Sequence, residues 1–105
     1  MTKKDIKETI TEVIEFLDAY GFKRNANLYT YYVFDGVRFV VSVCNDAVTI
    51  SCYATLEDGM IAQTSRRVPL LRLFYNVAPT LRREFKDLIS SYVDFMFTPQ
   101  IPTDA

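Results

Sequence analysis

Residues 28–64 read LYTYYVFDGVRFVVSVCNDAVTISCYATLEDGMIAQT, a run of β-branched and aromatic residues interrupted three times by turn-forming pairs or triplets. Asp35-Gly36 falls between two such runs, and Asp-Gly is a strong signal for a two-residue hairpin because a type I′ turn needs positive φ at both central positions. That turn sets Phe34 opposite Val37. Asn45-Asp46 predicts a second tight turn, between Cys44 and Ala47. Side chains alternate across a strand, so each turn checks the other: a slip of one residue would send every apolar side chain to the wrong face. The two registers agree. One face collects Leu28, Thr30, Tyr32 and Phe34, then Val37, Phe39, Val41 and Val43, then Val48, Ile50, Cys52 and Ala54, and all but Thr30 are apolar or aromatic. This set is expected to face the core.

The other face carries Tyr29, Tyr31, Val33, Arg38, Val40, Ser42, Cys44, Ala47, Thr49, Ser51 and Tyr53. It is mixed, as expected of a sheet covered on one side only. Glu57-Asp58-Gly59 suits a three-residue loop with Gly59 in the left-handed position, which opens a fourth strand near Met60. That strand is polar, with Gln63, Thr64, Ser65, Arg66 and Arg67, and charge on an outer strand discourages edge-to-edge association. It is expected at an edge.

Outside the meander the periodicity changes to that of helices. Ile6, Ile10, Val13, Ile14 and Leu17 form one stripe of a helix over 3–20, with Lys7, Glu8, Thr11, Glu12, Glu15 and Asp18 on its outer side. Thr2 and Asp5 have the spacing of a capping box, and Gly21-Phe22 is a stop in which glycine turns left-handed and the next apolar residue folds back. Residues 23–27 read as a polar linker. Val68-Pro69 ends the last strand because proline donates nothing to a ladder. Leu70, Phe74 and Val77 suggest a short helical turn, and Pro79-Thr80 begins a longer helix to about Phe97 with Leu81, Phe85, Leu88, Ile89, Tyr92 and Met96 as its core stripe. The expected fold is a two-layer α+β sandwich in the order α-β-β-β-β-α-α: an antiparallel four-stranded meander with an N-terminal and a C-terminal helix on one face.

At 105 residues this is one domain, expected over 1–98, followed by a flexible tail over 99–105 where Pro99 and Pro102 oppose helix. The formal net charge of −1 removes any bulk electrostatic case for nucleic acid or acidic membrane as an obligatory partner. No apolar run approaches the roughly 20 residues a spanning helix needs, and the polar start MTKKDIKETI lacks the apolar run of a secretory signal, so a cytoplasmic location is expected. Cys52 is expected to pair across strands with Phe39, about five residues and on the order of 16 Å along the ladder from Cys44 and on the other face, which leaves both as free thiols.

Chemistry is sparse. The chain has no histidine, the commonest general base and metal ligand, and its two cysteines lie apart, so neither a catalytic nor a metal site is expected. Gly21, Gly36 and Gly59 each serve a turn or a cap and build no phosphate loop, so no cofactor is expected. Glu8, Glu12 and Glu15 lie on a solvated helix face without the cleft that paired-carboxylate chemistry needs. The chain is expected not to be an enzyme.

Surfaces remain. Tyr29, Tyr31, Arg38 and Tyr53 share the open sheet face, with Arg38 opposite both Val33 and Tyr53, and tyrosine and arginine are the residues enriched at protein interfaces. Such a face also stacks unpaired bases. A second surface is basic: between 66 and 87 stand Arg66, Arg67, Arg72, Arg82, Arg83 and Lys86 against Glu84 and Asp87, six cations to two anions. Arg82 and Arg83 fall in the first turn of the expected long helix, where the dipole disfavours cations, which suggests use or pairing. Third, Val93, Phe95 and Phe97 make the last turns of that helix apolar almost all round, so the tail or a second copy of the chain is expected to cover them, and a homodimer contact is assigned there.

A helix, a meander and a second helix opening with Arg82, Arg83 and Lys86 resembles the double-stranded RNA binding domain, whose second helix meets phosphates across a groove with basic residues at that spacing. The resemblance is topological plus those three residues; the fourth strand, the segment 69–78, the missing histidine and the acidic balance depart from it. The topology alone is also similar to that of small acidic secretion chaperones, whose sheets pair into dimers. The reading drawn from the residues is a small non-enzymatic protein-interaction module binding a protein partner, of the kind common among accessory and inhibitory proteins of mobile elements. The alternatives are a nucleic-acid-binding domain and a chaperone-like dimer.

Overall fold

The computed structural model describes residues 2–34 and 36–97, with side chains as far as Ser91. The first element is α1, Lys3–Tyr20. The Thr2 hydroxyl accepts from the Asp5 N–H and the Asp5 carboxylate accepts from the Thr2 N–H, each at 3.1 Å, completing the capping box. At the far end Gly21 takes φ 115°, its N–H donating to Asp18 at 3.1 Å, and Phe22 donates to Leu17 at 2.9 Å. This six-to-one closure folds the Phe22 ring under the helix, where it is buried.

Five strands follow rather than four: β1 Lys23–Asn25, β2 Leu28–Phe34, β3 Val37–Val43, β4 Ala47–Thr55 and β5 Ile61–Pro69, antiparallel and in chain order across the sheet. The polar linker expected over 23–27 is itself a hairpin arm. Ala26 takes φ 57° to turn the chain back, so that Asn25 pairs with Leu28 and Lys23 with Thr30. The other three connections are as expected. Phe34 pairs with Val37, the Cys44 N–H donates to Ala47 at 2.9 Å, and Leu56 and Met60 close the loop around Gly59, whose φ is 84°. β5 ends at Pro69, beside Ala47. A single helical turn, α2 Leu70–Leu73, leads to α3, Val77–Phe97. Tyr75 makes that corner at φ 66°, and the Asn76 carbonyl accepts from the Thr80 N–H at 3.3 Å.

The expected core faces hold for β3 and β4 and fail for β2. Val37, Phe39, Val41, Val48, Ile50, Cys52 and Ala54 are all buried. On β2 the register shifts between Tyr32 and Phe34, so that Tyr31 pairs with Phe39 and Tyr29 with Val41. A bulge at this point reverses which side chains face inward along the rest of the strand. Tyr29 is 6 % exposed and Tyr31 and Val33 line the core, whereas Tyr32 is 71 % and Leu28 45 % exposed. The exchange places two tyrosine rings under the helices instead of Thr30 and Leu28. Tyr31 lies 5.0 Å from the Tyr20 ring and 5.3 Å from the Phe22 ring. Phe85 of α3 joins this cluster, with Phe39, Tyr20 and Phe22 at 5.0, 5.3 and 5.5 Å. Both long helices thus sit on one side of the sheet, with Val13, Leu17, Leu81, Phe85 and Leu88 on its inner face. Phe34, expected inside, is 48 % exposed at the hairpin end. Ala47, expected outside, is buried beside Pro69.

Candidate functional site

The helices leave the opposite face of the sheet uncovered, and the pairing registers fix what it presents. Tyr32, Arg38, Tyr53 and Gln63 are successive partners across β2, β3, β4 and β5 and form one row. Behind it lies a second row of Lys23, Thr30, Val40, Ser51 and Ser65, and behind that a third of Asn25, Leu28, Ser42, Thr49 and Arg67. The Arg38 guanidinium lies 5.0 Å from the centre of the Tyr53 ring, a cation–π contact between cross-strand partners. Ser51 and Ser65 share a hydrogen bond of 2.9 Å, and Gln63 donates to Ser65 at 3.4 Å. Arg67 reaches Asp46 at the end of the sheet, 2.9 Å away.

Arg38 and Tyr53 therefore stand where the sequence placed them, as cross-strand partners on the open face. Tyr29 and Tyr31 do not. The β2 bulge turns both toward the helices, Tyr29 into the core beneath the Arg24 guanidinium at 5.8 Å and Tyr31 into the ring cluster. Arg38 is opposite Tyr32, not Val33. Tyr32 is the open-face aromatic that sequence reasoning missed, and the doubled Tyr31-Tyr32 was the only local signal that a one-residue shift would still offer a tyrosine outward.

The five basic residues expected as one patch are dispersed. Arg66 and Arg67 are neighbours on a strand and so point to opposite faces. Arg67 joins the open face, while Arg66 turns to the helix side and meets Glu84 at 3.2 Å and Asp87 at 3.7 Å. Arg72 meets the other Glu84 oxygen at 3.1 Å. Glu84 is 3 % exposed, and its two guanidinium partners explain how a carboxylate sits there. Because α3 starts at Val77, Arg82 and Arg83 lie in its second turn rather than its first, beyond the strongest part of the dipole. Arg82 lies 5.5 Å from the centre of the Phe16 ring, and Arg83 and Lys86 are exposed on α3. The dimer contact assigned to Val93, Phe95 and Phe97 and the tail over 99–105 fall outside the described side chains and residues.

Cys44 is exposed near its turn and Cys52 is buried, and both are free. Burial pushes the Cys52 thiol above its ordinary range. Among the described residues no three His, Cys, Asp or Glu side chains are grouped so as to hold a metal ion, and no helix is long and apolar enough to cross a membrane. Comparison with family models, with curated proteins and with solved structures finds no match to this chain.

Proposed function

We propose that the chain is a small non-enzymatic protein-interaction module whose binding surface is the open sheet face, and that its partner presents an acidic patch there. The observation that carries this reading is the Tyr32–Arg38–Tyr53–Gln63 row, which spans four strands and which neither helix covers among the described residues. The strand residues of that face include Lys23, Arg38 and Arg67 and no carboxylate among those described. Carboxylates instead crowd the far side of the molecule, on the exposed positions Glu8, Glu12, Glu15 and Asp18 of α1. The helix side also carries exposed Lys3, Lys4, Lys7, Arg82, Arg83 and Lys86 and so mixes both signs, whereas an acidic surface meets no strand carboxylate on the open face. Two tyrosines and an arginine supply contact area, and the Arg38–Tyr53 contact restrains two of the three side chains in advance.

The test places a photo-crosslinking residue at Val40, in the middle of the face, and in a separate protein at Glu8 on α1. In lysate of the native host the Val40 probe is expected to trap a protein that the Glu8 probe does not, and the triple variant Tyr32→Ala, Arg38→Ala, Tyr53→Ala is expected to lose it while remaining folded. Undiminished trapping by the triple variant removes the sheet face as the binding surface.

A further inference from the structure

Arg82 and Lys86 serve neither the ion-pair cluster around Glu84 nor the open sheet face. They stand four residues apart on α3 and so share one side of the helix, whereas Arg83 is turned about 100° around its axis from Arg82. A groove of ≈ 320 Å³ lies along that side, between the last turn of α1 and α3, lined by Tyr20, Arg82, Phe85, Lys86, Ile89 and Ser90. Its floor is apolar, with Phe85 buried and Ile89 half-buried. Its wall is the Tyr20 ring, 5.3 Å from the Phe85 ring and inclined to it at 61°. All four polar side chains on the rim can donate a hydrogen bond: the Arg82 guanidinium, the Lys86 ammonium and the hydroxyls of Tyr20 and Ser90. No described carboxylate lines the groove, and neither cation is ion-paired with a described residue. Arg82 is nonetheless restrained. Its guanidinium lies 5.5 Å from the centre of the Phe16 ring, which itself stacks on Phe85 at 6.2 Å. Burial and the neighbouring Tyr31 raise the Tyr20 phenol above its ordinary range while Arg82 pulls it back, so the charge of Arg82 is felt at the Tyr20 hydroxyl.

We infer that this groove binds a small aromatic carboxylate, its ring laid on Phe85 and Ile89 beside Tyr20 and its carboxylate held between Arg82 and Lys86. The volume falls near the lower end of the range for small-molecule sites, roughly 300–1,000 Å³, and so suits a ligand with one ring. A planar guanidinium matches a carboxylate with two parallel donors, and the ammonium adds a second, adjustable contact. An inorganic anion would leave the apolar floor in water, and a neutral aromatic would leave both cations without a counter-charge; only a ligand that carries both parts answers the whole lining. The groove belongs to the helix side of the molecule, so its occupant leaves the open sheet face uncovered, and the inference goes beyond the sheet-face reading without depending on it.

The test is an amide NMR titration of the full chain with phenylacetate, with phenylacetamide and acetate as the probes lacking the charge and the ring. Phenylacetate is expected to shift Tyr20, Arg82, Lys86, Ile89 and Ser90 and to leave Tyr32, Arg38 and Tyr53 in place. Binding is expected to weaken roughly tenfold for either control probe and for each of the variants Arg82→Gln and Lys86→Gln, and to be unchanged in Arg83→Gln, which removes the same charge from outside the groove; a dispersed spectrum is the control for folding in each. Equal binding of acetate overturns the role of the floor, equal binding of phenylacetamide overturns that of the cations, and an equal loss in Arg83→Gln shows diffuse attraction rather than a site. Shifts confined to the open face, or none with phenylacetate in large excess, overturn the groove itself. None of these outcomes bears on the crosslinking test, whose probes and variants lie elsewhere.

Discussion

Tyr31 and Tyr32 are adjacent, chemically identical and assigned to opposite faces, so replacing each in turn by alanine measures the bulge directly. Tyr31→Ala removes a ring packed 5.0 Å from Tyr20 and 5.3 Å from Phe22 and opens a hole between α1 and β3. Full burial of an aromatic ring makes truncation cost about 3–5 kcal/mol, and a half-buried ring in a walled cluster about 2–3 kcal/mol. Tyr32 is 71 % exposed and is not part of the core cluster, so Tyr32→Ala should cost about 0.5–1 kcal/mol, mostly lost strand preference. The expected gap is about 2 kcal/mol, worth roughly 8–16 °C in Tm for a domain of this size. Equilibrium urea unfolding reads it as a midpoint shift of about 1 M at an unchanged slope. Without the bulge, Tyr32 would be the core residue and the order would invert. A Tyr32→Ala variant as destabilised as Tyr31→Ala, or more so, would refute the register on which the open-face row depends.

Two further outcomes follow from the ion-pair cluster and the thiols. Truncating Glu84 to Gln leaves Arg66 and Arg72 charged but about half exposed and able to rehydrate, so it should cost about 1–2 kcal/mol; changing both arginines to Met strands Glu84, whose side chain is 4 % exposed, and should cost about 3–5 kcal/mol by thermal or urea unfolding. Equal losses would show that the carboxylate is not buried as described. Cys44 should react with a thiol reagent within the mixing time near pH 8 while Cys52 reacts only as fast as the domain opens, and because burial raises the folded-state pKa of Cys52, its contribution to stability is intact below the unfolded thiol's pKa and declines as pH rises above it, which unfolding at pH 7 and pH 10 would register.

What could be read from the sequence, and what could not, divides along the range of the interactions. Asp35-Gly36, Asn45-Asp46 and Glu57-Asp58-Gly59 specify their hairpins from a few contiguous residues, and Thr2, Asp5 and Gly21 specify both ends of α1 in the same local way. The β2 bulge has no such signature. It follows from comparing two ways of burying one strand against the rings of Tyr20, Phe22 and Phe85, a choice settled only once α1 and α3 are in place. β1 carries no apolar alternation, and its three exposed residues become a strand because β2 offers them an edge. Pro79-Thr80 marks a helix start in the sequence because proline favours the first turn, whereas α3 begins two residues earlier behind Asn76. An excess of arginines between 66 and 86 was plain, but that Glu84 lies between two of them depends on how β5, α2 and α3 meet.

The bulge joins these observations into one argument about function. A regular ladder through Phe34 would have put Tyr29 and Tyr31 outward, beside Arg38 and Tyr53, and left Tyr32 inside. The shifted ladder instead sends two rings to the core, where they pack against α1, and reserves Tyr32 for the open face. Bulges re-aim side chains, and this one turns Tyr32 outward while the pairing resumes at Phe34 and Val37. A single extra residue therefore sends two rings into the core and completes the Tyr32–Arg38–Tyr53 row.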